Sequence, residues 1–230
     1  MKVTIINGNA RRGNTWHCMD LFIKALSRIT QVDAKSFTLP HDMPHHCAGC
    51  FSCFLNGEQT CPHADSIQPI AEALLNADLI ILTSPVYALD VSGQLKSLLD
   101  HLCYMWMSHR PNPLMFNKVG LTIATTAGAG LGHATKTIRN SLMFWGIKRT
   151  FSYKKAVSAI KWSDLTQKKR RRIERDLSTL AKRVAAAVKK IDRLPPPLVR
   201  RIFFWLMASM MRKNTWVPRD RKHWEEHGWI

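Results

Sequence analysis

The stretch from residue 7 to residue 15 combines glycines with short polar and basic side chains, which suits phosphate binding. Gly8 and Gly13 have the spacing of a nucleoside-triphosphate loop, but Asn14 stands where that chemistry needs a lysine. The stretch also lacks the G-x-G-x-x-G pattern of a dinucleotide site. An ordinary polar turn between a strand and a helix is the alternative. The side chains that suit a terminal monophosphate are Asn7, Asn9, Arg11, Arg12, Asn14 and Thr15.

A second stretch, residues 47–61, carries four cysteines with the spacing C-x2-C-x2-C-x7-C. Three closely spaced thiolates and a fourth farther along are the ligand pattern of a 4Fe-4S cluster. Zinc is an alternative, because His45, His46 and His63 are near enough in sequence to serve as ligands. A motif that binds no metal is the third interpretation. Cys18 and Cys103 fall within helical patterns, so we expect them to be buried, inert thiols. The predicted metal ligands are Cys47, Cys50, Cys53 and Cys61.

Apolar runs that alternate with helical patterns must position these two stretches. Strands are predicted at 3–6, 32–38, 79–82, 119–124 and 153–160, and helices at 16–29, 67–76, 91–104, 133–144 and 163–191. Asn14 and Thr15 are residue types suited to the N-cap of the first helix. Such alternation predicts right-handed crossovers and a parallel sheet covered on both faces. We therefore expect an α/β fold with a flavodoxin-like, doubly wound, five-stranded parallel sheet, helices on both faces and a C-terminal helical extension.

Three polar or glycine-rich loops follow strands of this predicted sheet, at 7–15, 84–87 and 125–132. Ligands of doubly wound sheets bind beyond the carboxyl ends of the strands. The coincidence of all three loops at that edge favours a ligand site over an ordinary turn at residues 7–15.

The proline-rich stretch 194–198 is the clearest boundary in the chain. It separates a domain of residues 1–193, with a Cys-rich insert at 39–64, from a basic and apolar C-terminal arm at 194–230. Residues 198–211 predict a helix that is apolar nearly all round, basic at both ends and too short to span a bilayer. We expect this helix to be an arm that packs on a second subunit. The alternative is an interfacial helix on anionic lipid.

The positive charge is concentrated in the last third of the chain. Residues 1–150 hold 13 Lys and Arg against 9 Asp and Glu, a net +4, whereas residues 151–230 hold 21 against 7, a net +14. An anionic membrane, an acidic redox protein and nucleic acid are the candidate partners. Nucleic acid is disfavoured because no recognisable motif accompanies the charge. No spanning segment or secretory signal is visible, so we expect a cytoplasmic protein with optional peripheral membrane contact.

Several motifs resemble those of the NADPH-dependent FMN reductase-like group and, more closely, its branch that includes the iron–sulfur flavoproteins. They are N-G-N-A-R-R-G-N-T at 7–15, C-A-G-C-F-S-C at 47–53 with Cys61, S-P-V-Y at 84–87 and G-Q-L-K-S-L-L-D at 93–100. The resemblance covers residues 1–160. In this group the first loop holds the FMN phosphate, the S-P-x-Y loop lies against the isoalloxazine ring, and the third loop closes its far side.

The resemblance implies an FMN site built from all three loops. Phosphate would be held by Asn9, Arg11, Gly13, Asn14 and Thr15. The ring would be bordered by Pro85, Val86 and Tyr87, and the pocket completed by Thr126, Gly128 and Gly130. Two positions depart from the pattern: Asn9-Ala10 replaces a common Ser-Pro, and His101 replaces a common arginine.

Two functional hypotheses follow from the resemblance. The first is an FMN-dependent NAD(P)H oxidoreductase, in which hydride passes from the nicotinamide to flavin and then to an acceptor. The alternative is an iron–sulfur flavoprotein that carries electrons from a ferredoxin-like partner. Neither requires a catalytic side chain, because the flavin carries the chemistry. A homo-oligomer is expected, and the identity of the acceptor and the choice between NADH and NADPH stay open.

Overall fold

Five parallel strands form one sheet in the order β2-β1-β3-β4-β5. The computed structural model describes residues 1–230. The strands are β1 (Lys2–Asn7), β2 (Asp33–Thr38), β3 (Leu79–Pro85), β4 (Val119–Thr126) and β5 (Arg149–Ala156). The helices are α1 (Asn14–Ser27), α2 (Ser52–Leu55), α3 (Ala64–Asn76), α4 (Gly93–His101), α5 (Leu131–Phe144), α6 (Gln167–Lys189), α7 (Leu198–Arg212) and α8 (Pro218–Glu226). The predicted flavodoxin-like fold with a C-terminal helical extension is confirmed.

The apolar central strands divide the core into two layers, one on each side of the sheet. Successive side chains of a strand point to opposite faces, so Ile80 and Leu82 of β3 pack with α3, α4 and α5, whereas Leu79 and Ile81 pack with α1 and α6. Every residue of β4 is buried. The two layers hold the carboxyl ends of β1, β3 and β4 at one edge of the sheet.

The edge strand β5 differs most from its predicted position. It runs over Arg149–Ala156 rather than 153–160, and its first residue pairs with Val119 of β4. Only Tyr153 of this strand is buried, so polar residues obscure its start in the sequence. Pairing with the neighbouring strand, rather than hydrophobic pattern, sets the bounds of β5.

The C-terminal extension folds against its own chain. Met207, Ala208 and Met211 of α7 form a small third core with Met107 and Trp224. No helix is both long and apolar enough to cross a membrane. The division into residues 1–193 and an arm at 194–230 stays a prediction.

Candidate functional site

A cavity of about 220 Å³ lies beyond the carboxyl ends of β1, β3 and β4. All three loops predicted to bind a ligand contribute to its lining. Of the eleven predicted cofactor residues, nine line it: Asn9, Arg11, Gly13, Asn14, Thr15, Pro85, Val86, Tyr87 and Thr126. Gly128 and Gly130 do not line the cavity, although both belong to the third loop.

The first loop is held tightly against β3. The Gly8 N–H donates to the Thr83 carbonyl at 2.9 Å, and a Cβ on Gly8 would lie 2.5 Å from that oxygen. Only glycine therefore allows this approach. The Ser92 hydroxyl, which also caps α4, donates to the Gly8 carbonyl from the other side. These contacts fix the loop before any ligand arrives.

The N-terminus of α1 opens into the cavity without a side-chain cap. Its N-cap is Gly13, so the prediction that Asn14 or Thr15 would cap the helix is wrong. Both side chains bond elsewhere: Asn14 Nδ2 donates to the Ala159 carbonyl at 2.8 Å, and the Thr15 and Thr125 hydroxyls are 2.6 Å apart. Free backbone N–H groups and the helix dipole favour an anion at such a terminus.

Two further polar groups lie at this end of the cavity, a cation and an unpaired acceptor. The Arg11 guanidinium lines the cavity and is steadied by a bond from Nη2 to the Ile160 carbonyl at 3.2 Å. The buried Asn14 Oδ1 has no hydrogen-bond partner within the chain, which leaves it available to a hydroxyl donor of a ligand. This end therefore matches the chemistry of a phosphate monoester.

The second loop forms the opposite, more apolar wall. Its Val86 N–H donates to the Thr125 carbonyl at 3.0 Å, and Tyr87 and Asp90 exchange two backbone bonds. The half-exposed Tyr87 accepts a bond from Asn9 Nδ2 at 3.0 Å through its hydroxyl. The wall is therefore tied to both neighbouring loops and leaves Pro85 and Val86 facing the cavity.

The third loop supports this wall from behind. Thr126 Oγ1 donates to the Ala129 carbonyl and accepts from the Gly128 N–H, which closes a small turn. Gly130 has a φ of +92°, and a Cβ there would lie 2.7 Å from Leu89 Cα and from Val86 Cγ1. Gly130 thus positions the second loop rather than touching the cavity.

Sequence reasoning missed the segment after β5. Val157, Ala159 and Ile160 close the phosphate end of the cavity. Their position follows from the register of β5 against β4, for which the sequence carries no local signal. Thr125, in contrast, directly precedes the predicted Thr126 and continues the same polar run.

The four cysteines of residues 47–61 lie in one region but do not form a ready ligand set. Cys47 and Cys50 are exposed, and Cys53 and Cys61 are half-buried. Burial raises the pKa of the Cys53 thiol, and the neighbouring cysteines raise it further. No group of three or more Cys, His, Asp or Glu side chains lies close enough together to hold a metal ion.

The two remaining cysteines differ from each other. Cys18 is fully buried, as predicted, and burial raises the pKa of its thiol to about 12. Cys103, predicted to be buried within a helix, is half-buried in a short 3-10 turn after α4. Burial, together with charge on Cys53 and Cys47, raises the pKa of the Cys103 thiol to about 12. Cys103 therefore borders the cysteine segment.

A buried ion pair ties α8 to the cysteine segment. Arg110 donates to the fully buried Asp220 of α8 at 2.5 Å and to the Cys53 carbonyl at 2.6 Å. His109 bonds the second carboxylate oxygen of Asp220 at 2.8 Å. This network joins two segments that are far apart in sequence.

Comparison with known proteins identifies the family. Residues 1–160 match the family described as NADPH-dependent FMN reductase. The chain belongs to this family. Membership confirms the resemblance seen in the motifs.

Two relatives of this FMN reductase family member are iron–sulfur flavoproteins. One, from Archaeoglobus fulgidus, is 29% identical over 149 residues, which are 64% of this chain and 64% of that protein. Another, from Methanocaldococcus jannaschii, is 36% identical and matches 59% of this chain and 67% of that protein. The chain thus matches just under two thirds of the first relative's length.

Solved structures of two reductases with low sequence identity share the fold. An FMN-dependent NADH-azoreductase from Bacillus anthracis in complex with FMN has a TM-score of 0.60 and 14% identity, covering 79% of this chain and 100% of that one. A flavone reductase has a TM-score of 0.59 and 14% identity, covering 86% of this chain and 66% of that one. These similarities support the flavodoxin-like architecture.

The chemistry of the cavity lining fits FMN. An uncapped helix end and Arg11 meet at one end, as a phosphate requires, and the buried Asn14 Oδ1 beside them can accept a hydrogen bond from a ligand hydroxyl. The walls formed by Pro85, Val86 and Tyr87 supply apolar and aromatic surface at the other. FMN is the family's cofactor. The residues that line the cavity match both its phosphate and its ring.

Proposed function

We propose that the protein is an FMN-dependent NAD(P)H oxidoreductase. The observation that carries this proposal is the convergence of three strand-end loops on one cavity, with anion-binding groups at one end and apolar walls at the other. A flat aromatic ring with a phosphate-bearing side chain has this distribution of chemistry.

The phosphate would be bound by the first loop and the start of α1. Arg11 would supply charge, the backbone N–H groups after Gly13 would supply donors, and the Thr15 hydroxyl would add another. The loop needs little rearrangement, because Gly8 and Ser92 already fix its path. Pre-organisation of this kind lowers the entropic cost of binding.

The remaining residues would orient the ring and limit access of water. When bound, FMN supplies the capacity to accept hydride from a nicotinamide and to pass electrons to an acceptor. The only ionisable side chains in the lining are Arg11 and Tyr87. No carboxylate, imidazole or thiol is available there for general acid–base chemistry, so the chain's contribution is to bind and orient the reactants.

Reduction kinetics test this proposal. The protein is loaded with FMN, freed of oxygen and mixed rapidly with NADPH or NADH, while the flavin band near ~450 nm is followed. We expect the band to bleach with at least one of the two nucleotides. Failure to take up FMN, or uptake without bleaching by either nucleotide, would contradict the proposal.

A second candidate function is electron transfer through a 4Fe-4S cluster bound by Cys47, Cys50, Cys53 and Cys61. Two observations favour it: relatives carry the name iron-sulfur flavoprotein, and four cysteines with cluster spacing share one region. The number and type of donors fit such a cluster. Their present arrangement does not, so the exposed segment would have to close around the cluster.

Metal analysis of protein purified without oxygen tests this second candidate. We expect about four irons and four acid-labile sulfides per chain. The Cys50→Ser variant should lose them, and Cys103→Ser, the matched control beside the segment, should keep them. Bound zinc, or no metal at all, would exclude this function and leave the oxidoreductase proposal intact.

A further inference from the structure

Helix α7 presents an apolar side to solvent. Six large apolar side chains, each between 46% and 69% exposed, lie along it singly or in adjacent pairs, at intervals of three or four residues. This spacing puts them on one side of the helix. The opposite side, with Met207, Ala208 and Met211, packs against the chain's own third core. The exposed residues are Leu198, Val199, Ile202, Trp205, Leu206 and Met210.

Arginines line one border of this apolar side. Arg201 and Arg212 lie about three turns apart on the same border of α7. Beside them runs a groove of about 480 Å³, whose lining includes Arg200 and the aromatic rings of Phe204 and Trp205. The groove contains no acidic side chain. It combines apolar surface with cations, as an anionic amphiphile requires.

The other border is also cationic. Val199 reaches a second groove, of about 700 Å³, that again contains no acidic side chain. Positive charge therefore flanks the apolar side of α7 on both borders. The basic residues that line this second groove are Lys136, Arg139, Lys148, Arg149, Arg183 and Arg200.

We propose that α7 and its two cationic borders dock on the surface of a membrane that contains anionic lipid. The apolar side would enter the boundary between headgroups and acyl chains, and the flanking arginines and lysines would meet lipid phosphates. An α7 about 20 Å long suits a position in the plane of the interface, and no helix of the chain can span a bilayer.

Charge favours lipid over a second copy of the chain. The sequence pattern alone favours an arm that packs on another subunit. The structure places cations, without carboxylates, on both borders of the exposed side. Two copies facing each other there would bring like charges together on chains that each carry a net +18. An anionic surface would neutralise the same charges.

Sedimentation with lipid vesicles tests the proposal on the full-length protein. Vesicles of phosphatidylcholine with about one quarter phosphatidylglycerol are compared with phosphatidylcholine alone. We expect binding to the anionic vesicles that weakens as salt is raised. The double variant Ile202→Glu/Leu206→Glu should bind at least about tenfold more weakly. Arg201→Ala/Arg212→Ala should also weaken binding and should flatten its salt dependence.

The matched control is Ile29→Glu. Ile29 is 45% exposed and lies between α1 and β2, at the opposite edge of the sheet from β5. The control variant should bind vesicles like the unmodified protein. Light scattering and FMN uptake of each variant report assembly and folding. Equal binding to both vesicle types would overturn the proposal. Unchanged binding by a folded Ile202→Glu/Leu206→Glu variant would also overturn it. A dimer of the unmodified protein that this variant dissociates, while vesicle binding stays the same, would overturn it as well.

Discussion

Sequence patterns predict a ligand at both the strand-end cavity and the cysteine segment, yet the structure pre-organises only the first. The loops of the cavity leave buried parallel strands, and hydrogen bonds to Thr83, Ser92 and Thr125 fix their paths. The cysteine segment has no flanking strand, and two of its four thiols are exposed. A ligand site is formed in advance where the sheet supplies the anchor. A site without that anchor would need its ligand to supply the order.

The largest predicted difference is in thiol reactivity, between the cysteine segment and helix α1, which begins at the cavity. In metal-free, reduced protein at pH 8, iodoacetamide should modify the exposed Cys50 at least about a thousandfold faster than Cys18. Cys18 is fully buried, and its pKa of about 12 leaves almost no thiolate at pH 8. Its rate should rise as pH increases toward that pKa. Peptide mass spectrometry measures both rates, and equal rates would contradict the exposed position of the segment.

A substitution at Gly8 should test how rigid the cavity is. In Gly8→Ala the new Cβ would meet the Thr83 carbonyl, a backbone atom that cannot turn away. We expect the free energy of unfolding to fall by about 3 kcal/mol. Urea unfolding measures it. Gly128→Ala is the control, since nothing lies within 4 Å of its Cβ position. If both variants lose the same small amount of free energy of unfolding, the first loop tolerates displacement.

Removal of Arg11 should weaken the proposed phosphate site without unfolding it. A charge-assisted hydrogen bond contributes about 2 kcal/mol, so Arg11→Ala should bind FMN about thirtyfold more weakly. Arg12→Ala is the matched control, because Arg12 stacks over Trp16 and does not line the cavity. Fluorescence titration with FMN compares the two. A larger loss in Arg12→Ala would reassign the phosphate-binding arginine.

The smallest predicted effect is in the cysteine segment. Cys50→Ala in metal-free protein should change the free energy of unfolding by less than about 0.5 kcal/mol, because the side chain is exposed. FMN affinity should also stay within about twofold. The same urea and fluorescence measurements apply. A change above about 1 kcal/mol would show that the segment already contributes to the fold without a ligand.

The sequence by itself determined the alternating α/β fold, the three strand-end loops and most residues of the cavity. These features depend on local patterns: buried runs such as 79–82, and glycines beside polar donors at 7–15. It did not predict the N-cap of α1, because Asn14 bonds to Ala159, a residue brought near by the register of β5.

Only the tertiary structure decided which distant segments meet. Val157, Ala159 and Ile160 close the cavity, and Arg110 pairs with Asp220 across more than a hundred residues. The tertiary structure also decided which side of α7 is buried. The helix is apolar nearly all round, so packing selects the side that meets Met107 and Trp224. Local composition fixes what an element can contact. The packing of the whole chain selects the contact it makes.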